Sequence, residues 1–168
     1  MSDVAPELLG RVLDEHGPAL VLYARQWCSS PEDVVQEALI QLARQRQAPE
    51  KLLPWLYRVV RNGAIGAARG ARRRRKHETV AAQRADDCFE PAEGDRLDAA
   101  EAARCLATLP VEQREVIVAR LWGGLSFQEI GDLIGTSSSS AHRWYEAGLE
   151  ALRERLEPTC VRKTNLMK

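Results

Sequence analysis

The chain has 168 residues and no net formal charge, and its composition is 45% hydrophobic and 29% charged. Such a chain can build one ordinary core or two small ones, and it is too apolar to be globally disordered. Only 5% of the residues are aromatic, while alanine, leucine, arginine and glutamate are plentiful, which favours an all-α fold. No apolar run approaches the ~20 residues of a membrane span, and no signal peptide is apparent. We therefore expect a cytoplasmic protein with no membrane insertion.

The cysteines and histidines form no recognisable site. No CxxC pair is present, and the three histidines are not clustered with the four cysteines, which are Cys28, Cys88, Cys105 and Cys160. We therefore expect reduced thiols and no metal site. The sequence also offers no candidate nucleophile, no paired acid and base and no cofactor motif, so we expect no enzyme.

Three helices are predicted in the first part of the chain. The first runs from about Pro6 to His16 and the second from about Ala19 to Cys28, because Gly17-Pro18 interrupts the helical pattern. The third has Ser30 at its N-cap and Pro31 at its first helical position. An apolar stripe on this third helix leaves one polar, partly acidic face, which contains Asp33, Gln36, Glu37 and Gln41.

The next predicted helix begins near Pro54 and extends to about Lys76. Between Trp55 and His77 the sequence has eight arginines or lysines and no acid, a surface that attracts phosphate without sequence choice. Trp55 and Tyr57 are placed to contact unpaired bases. The alternatives are a solvated basic face for the arginines and core packing for Trp55. Interior glycines predict fraying toward the four-arginine run.

An acidic segment follows the basic helix. Between Glu78 and Glu101 there are eight acids and two arginines, and no apolar face is sustained up to Gly94. Helical pattern resumes near Leu97, and Pro110 opens a further helix whose core candidates are Val111, Val116, Ile117, Ala119 and Leu121. The sequence thus predicts two small helical domains joined by a flexible acidic linker.

The last apolar segment has the spacing of a helix-turn-helix. Ser126 and Glu129 are placed as a capping box, and Gly131 is small where two helices approach. Gly135 suits a turn with positive φ, and Ser137 fits the N-cap of a second helix, which in DNA-binding proteins enters the major groove. The alternative is a plain helical hairpin whose outer face is solvated. That outer face contains Ser138, Ser139, His142, Arg143 and Glu146.

Three sequence blocks together resemble a known family. In chain order they are "PEDVVQEALIQLARQ", then "PWLYRVVRNGAIGAAR" with "RRRR", then "LATLPVEQREVIVARLWGGLSFQEIGDLIGTS". They are similar to bacterial RNA polymerase sigma factors of the sigma-70 family, in the small extracytoplasmic-function (ECF) type that keeps only regions 2 and 4. The resemblance spans roughly residues 6–156. It implies region 2 over 1–77, a linker over 78–96, region 4 over 97–157 and a loose tail over 158–168.

The resemblance implies a function in transcription initiation. The protein would bind core RNA polymerase, direct it to a specialised set of promoters and assist DNA melting. Family region 2.2 docks on the coiled coil of the polymerase β′ clamp, so core binding falls on Asp33, Gln36, Glu37 and Gln41. The β flap, promoter DNA and an anti-sigma factor are the other partners that the resemblance implies.

The same resemblance assigns the promoter contacts. The minus-ten element would be bound by the loop over 44–53 and the helix after it, with Asn62 as candidate partner of a flipped base. The assigned residues there are Trp55, Arg58, Arg61, Asn62, Arg69, Arg72 and Arg73. The minus-thirty-five element would be bound by Ser138, Ser139, His142, Arg143 and Trp144. Gly131 and Gly148 stand where the family often has alanine, which predicts a less stable region 4 or a shifted sequence preference.

Two alternatives from other classes remain open at this stage. A stand-alone helix-turn-helix regulator would require a dimerisation helix, and it would leave the "DVVQEAL" and "WLYRVVRN" blocks without a role. A sigma-like decoy would bind polymerase but would direct no transcription.

Overall fold

The computed structural model describes residues 4–77 and 104–164, so the predicted linker over 78–96 lies outside the described residues. The described residues are helical with no strand, which confirms the all-α fold. Residues 104–107 are also helical. The main helices are α1 (Pro6–Ala24), α2 (Pro31–Ala43), α3 (Leu52–His77), α4 (Val111–Leu121), α5 (Phe127–Ile134) and α6 (Ser138–Thr164).

Helix α1 is a single helix, so the predicted break at Gly17-Pro18 is wrong. Pro18 lies inside the helix, and a Cβ added to Gly17 would lie 3.2 Å from the Leu13 side chain. Val12 before the pair and Leu20 after it both belong to the core. This burial on both sides compensates for the hydrogen bond that proline cannot donate, since packing supplies most helix stability in proteins.

Helix α3 is anchored at one end and basic at the other. It begins at Leu52, before the predicted start at Pro54, and it continues through the four-arginine run to His77, where fraying was expected. Arginine and lysine are good helix formers, and their charge suits the C-terminal end of a helix. Leu56, Tyr57, Val60 and Ala64 in the first half of α3 are fully buried.

Helix α4 is buried at its centre and exposed at its ends. Val111 and Leu121, two of its predicted core residues, are 37% and 54% exposed. The whole central segment over 115–119 is buried, including the carboxylate residue Glu115. The helix packs against α1 on one side and against α5 and α6 on others. Residues on all sides of its centre are therefore buried, and not only those of one apolar stripe.

Helices α5 and α6 form the predicted helix-turn-helix. The Ser126 hydroxyl accepts the backbone N–H of Glu129 at 3.2 Å, and the Glu129 carboxylate accepts the backbone N–H of Ser126 at 2.9 Å. The capping box is therefore confirmed. Gly135 ends α5 with φ of 85°, and the Ser137 hydroxyl accepts the backbone N–H of Ser140 at 3.1 Å. The serine run therefore starts a helix.

Helix α6 extends to Thr164, beyond Glu157, where the sequence predicted a loose tail. No glycine after Gly148 provides the left-handed residue that commonly ends a helix. Pro158 lies inside this segment and donates no backbone hydrogen bond, so the helix continues into the predicted tail with one hydrogen bond missing.

The two predicted helical domains are in contact. One continuous core contains Tyr23 and Tyr57 from α1 and α3 together with Val118 and Ala119 from α4. Helix α1 also packs on α4, and α3 packs on α5. The two halves of the chain therefore pack against each other through a shared core.

Two glycine substitutions should change stability in opposite directions. Gly66→Ala should stabilise the protein by up to ~1 kcal/mol, because nothing lies within 4 Å of the added Cβ and alanine favours helix. Gly131→Ala should destabilise it by about 1–3 kcal/mol, because the Cβ would lie 2.8 Å from the Thr136 carbonyl oxygen. Urea unfolding followed by circular dichroism measures both, and shifts in the same direction would contradict this packing.

Candidate nucleic-acid and protein interfaces

Helix α2 presents the predicted polar face to solvent. Asp33, Gln36 and Glu37 are exposed, and Gln41 is half-buried. These residues share one face because they are three, four and eight positions from the first of them. Val35 and Leu42 on the other side of the helix are buried in the core, so the polar face has a fixed orientation.

A basic stripe runs along α3. Arg58, Asn62, Arg69 and Arg73 are exposed and are separated by four, seven and four residues, which aligns them along one side of the helix. Arg72 is exposed beside them. The stripe combines guanidinium groups, which bind phosphate, with one amide that can hydrogen bond to a base edge.

Trp55 lies at the start of this stripe and is half-buried against the core. Part of the Trp55 side chain therefore packs in the core, which was the alternative considered from the sequence. The remainder lines a cleft that also contains Arg58 from α3 and the α5 residues Glu129, Asp132 and Leu133. The two halves of the chain thus meet at the predicted minus-ten surface.

Arg61 is separated from the other predicted minus-ten residues by a buried contact. Its Nε lies 2.7 Å from Oε1 of Glu115 in α4, and its guanidinium lies 5.9 Å from the centre of the Trp27 ring. Tyr23 donates its hydroxyl to the same Glu115 oxygen at 2.5 Å. We call Tyr23, Arg61 and Glu115 the carboxylate clasp.

The Glu115 carboxylate favours a neutral Tyr23 phenol and a charged Arg61 guanidinium, the forms in which both groups donate hydrogen bonds. Burial raises the pKa of Tyr23 well above its usual value, and the charge and hydrogen bond of Glu115 raise it further, so the phenol remains a neutral donor. Burial by itself would lower the pKa of Arg61, but the hydrogen bond and charge of Glu115 outweigh burial and raise it. Sequence reasoning missed Glu115, whose only signal is an acid at the start of the apolar run "EVIVA".

The first turns of α6 carry the predicted minus-thirty-five residues. Ser139, His142 and Arg143 are exposed, and Ser138 is half-buried. Trp144 is half-buried and packs against the core, so its orientation differs from that of its exposed neighbours. The structure therefore gathers four of the five predicted residues at the accessible start of this helix.

Contacts around the helix start orient the two exposed basic side chains. The His142 ring meets the edge of Phe127 with 4.9 Å between ring centres, and its Nδ1 lies 3.5 Å from the Glu146 carboxylate. Arg143 donates to the Ser140 hydroxyl at 3.4 Å. These contacts hold both side chains beside the helix while their surfaces remain in solvent.

Membrane and metal sites were also sought in residues 4–77 and 104–164. No helix there is long and apolar enough to cross a membrane. The same residues contain no group of three or more histidine, cysteine or acidic side chains arranged to hold a metal ion. Cys28 and Cys105 are free thiols.

Two family models match the chain in succession. The model for Sigma-70 region 2 matches residues 12–74, and the model for Sigma-70, region 4 matches residues 99–152. The chain is 33% identical over 133 residues to the RNA polymerase sigma factor CarQ of Myxococcus xanthus, with 74% of each protein covered. It is 38% identical over 73 residues to the ECF RNA polymerase sigma factor ShbA of Streptomyces griseus subsp. griseus, which covers 42% of this chain and 38% of ShbA.

Two solved structures share the fold. The sigma factor RpoE of Bartonella quintana, solved in complex with the anti-sigma factor NepR, matches with a TM-score of 0.70 and 22% identity, covering 91% of this chain and 98% of RpoE. CnrH, solved in complex with the cytosolic domain of CnrY, matches with a TM-score of 0.60 and 22% identity, covering 92% of this chain and 90% of CnrH. The matches extend across both helical halves.

The capping box of α5 should make stability depend on pH. The backbone N–H of Ser126 lowers the pKa of Glu129, against the opposing effect of burial, with further lowering from the Ser126 hydroxyl and Lys51. The stabilisation of the folded state by the ionised Glu129 carboxylate is therefore complete above the unfolded pKa of about 4.3. It is lost as pH falls through the lower folded pKa. Glu129→Gln should cost about 0.5 kcal/mol at pH 7, allowing for solvent screening, and less at pH 3.

The measurement is urea unfolding at the two pH values. Glu154→Gln, which changes an exposed carboxylate on α6, serves as the matched control and should show no such difference. An equal loss for Glu129→Gln at pH 7 and pH 3 would contradict a stabilising ionised carboxylate.

Proposed function

The chain belongs to the sigma-70 family of RNA polymerase sigma factors, in its ECF type, and we propose that it binds core RNA polymerase and directs it to promoters. The observation that carries the proposal is the ordered pair of family matches, region 2 over 12–74 and region 4 over 99–152. Sigma factors are transcription regulators and not enzymes. A stand-alone helix-turn-helix regulator would leave the region 2 match without a role.

We propose the domain boundaries that the sequence indicated. Region 2 occupies residues 1–77 and region 4 occupies 97–157, with the acidic linker over 78–96 between them. Action on core polymerase places the protein in the cytoplasm. Because the similar structure of RpoE is bound to an anti-sigma factor, a regulator of that class is part of the proposal.

Helix α2 supplies the proposed polymerase-binding surface. Asp33 and Glu37 are one helical turn apart and exposed, so their charges attract a basic helix such as the β′ clamp coiled coil would present. Gln36 and Gln41 add hydrogen-bonding groups beside them. Complementary charge at such a surface increases the association rate and favours the correct partner. Region 4 would make the second polymerase contact, with the β flap.

Helix α3 supplies the proposed minus-ten surface. The exposed stripe from Arg58 to Arg73 would hold the phosphates of the non-template strand, and its basic charge makes binding sensitive to salt. Asn62 offers both a donor and an acceptor to the edge of an unpaired base. Trp55 offers its uncovered surface to the same strand. Capture of unpaired bases would favour the melted state of the promoter.

Helix α6 supplies the proposed minus-thirty-five surface. Its exposed start can enter the major groove, where Arg143 would donate to a guanine or a phosphate and His142 to a neighbouring group. Ser138 and Ser139 are short hydroxyl donors that let the backbone approach DNA closely. Since Trp144 packs against the core, base discrimination falls mainly on His142 and Arg143.

Charge reversal on α2 should weaken polymerase binding selectively. The double variant Asp33→Lys with Glu37→Lys should weaken capture of purified core polymerase at least about tenfold, because it reverses the complementary charges. The matched control reverses two exposed acids away from α2, Glu112→Lys with Glu154→Lys. Run-off transcription on genomic DNA with purified core polymerase gives the second readout and identifies promoters.

The outcomes separate the proposed functions. Failure of the unmodified protein to bind core polymerase at low salt would overturn the sigma-factor proposal. Binding without any transcript would identify the decoy alternative.

A single substitution on α6 should separate DNA binding from polymerase binding. Arg143→Ala should reduce formation of the promoter complex about tenfold, as expected for loss of one guanine or phosphate contact, while core binding is unchanged. Arg153→Ala removes an exposed arginine further along the same helix and serves as the control. Electrophoretic mobility shift with a promoter found by run-off transcription is the measurement. Equal effects of the two substitutions would argue against groove entry by the start of α6.

A further inference from the structure

The carboxylate clasp joins residues that lie far apart in sequence and in different halves of the fold. Tyr23 and Arg61 come from α1 and α3, and Glu115 comes from α4. A single oxygen of Glu115 accepts both donors, and the Glu115 residue is 2% exposed. A buried carboxylate that loses its partners is strongly unfavourable. The clasp therefore holds the two halves in one relative position.

The clasp keeps a proposed DNA contact occupied. Arg61 is among the residues assigned to the minus-ten surface, but its guanidinium is bonded to Glu115 and turned toward Trp27. Its Nε is occupied by Glu115 and only 24% of the side chain is exposed, so little of the guanidinium is presented to a phosphate. The closed arrangement thus turns most of Arg61 away from the surface that would hold the promoter strand.

The start of the basic stripe also lies beside carboxylates of α5. The cleft at Trp55 brings Lys51 and Arg58 near Glu129 and Asp132 of α5, and the charge of Lys51 helps to lower the pKa of Glu129. Carboxylates therefore lie where the phosphates of a bound strand would approach. Helix α5 would repel that strand while it occupies this position.

The contact between the halves includes groups that are poorly satisfied when buried. The Tyr57 hydroxyl is buried against Gly123, and it has no hydrogen-bond partner among the described residues. An unpaired buried hydroxyl is unfavourable, and a buried ion pair stabilises less than apolar packing of the same volume. Separation of the halves would return these groups to water, so the contact is suited to reversible opening.

We propose that region 4 closes over region 2 in the free protein and competes with single-stranded DNA for the minus-ten surface, with the carboxylate clasp as the contact that opens. The identity of that surface rests on the proposed function. Opening frees Arg61 and withdraws the acidic side of α5 from Trp55. Region 4 thereby acts as an internal competitor until another partner, such as polymerase, separates the halves.

The test uses the full chain without polymerase. Glu115→Gln keeps the shape of the side chain but removes its charge, and it should increase the radius of gyration measured by small-angle X-ray scattering. It should also bind a fluorescein-labelled, mixed-sequence single strand of about 20 nucleotides roughly tenfold more tightly at low salt, measured by anisotropy. Glu112→Gln is the matched control, since it removes one exposed charge from the same helix. It should change neither quantity.

A second substitution tests whether the gain depends on Arg61. Addition of Arg61→Gln to the Glu115→Gln variant should remove most of the gain in DNA affinity while the larger radius persists. Retention of the whole gain would overturn the role of Arg61. Should Glu115→Gln lose its helical circular dichroism, Tyr23→Phe is the substitute, because it removes one hydrogen bond and leaves the ion pair. It should give smaller changes in the same directions.

Two results would overturn the closed state. One is an extended shape for the unmodified protein. The other is a folded variant with the shape and DNA affinity of the unmodified protein. Since neither measurement uses polymerase, failure of the sigma-factor proposal would be seen separately, as absence of core binding.

Discussion

The buried carboxylate of Glu115 decides how the two helical halves meet. It accepts the Tyr23 hydroxyl and the Arg61 guanidinium on one oxygen, so α1, α3 and α4 are tied at one point inside a shared core. Apolar contacts around that point bring α5 against the start of α3. The accessibility of the proposed promoter-binding surfaces follows from this contact.

Helix α3 combines a buried anchor and the proposed minus-ten surface in one element. Its first half is buried through Leu56, Tyr57 and Val60, which fixes the direction of the helix. Exposed arginines and Asn62 then follow along the other side, so the basic stripe has a rigid support. Arg61 lies at the border between these two faces, and there the tertiary contact with Glu115 determines which of them it joins.

The helix-turn-helix depends on short-range contacts. Ser126 and Glu129 cap α5, Ser137 caps α6, and Gly135 provides the left-handed turn between them. Gly131 lets the turn backbone approach closely, because a Cβ there would meet the Thr136 carbonyl oxygen. An alanine at position 131, which is common in the family, would therefore require a different turn backbone. The expectation that Gly131 makes region 4 less stable is thus not supported by this packing.

The sequence by itself determined the helical class, the family, the capping box and the serine-capped second helix of the helix-turn-helix, because each depends on residues within a few positions of one another or on ordered motifs. It predicted a break at Gly17-Pro18 that packing on both sides overrides. Only the tertiary structure decided that Glu115 is buried, that Trp144 packs inward and that Arg61 leaves the basic stripe. Tyr23 and Glu115 are 92 residues apart and Arg61 and Glu115 are 54 apart, and no local periodicity encodes contacts over such separations.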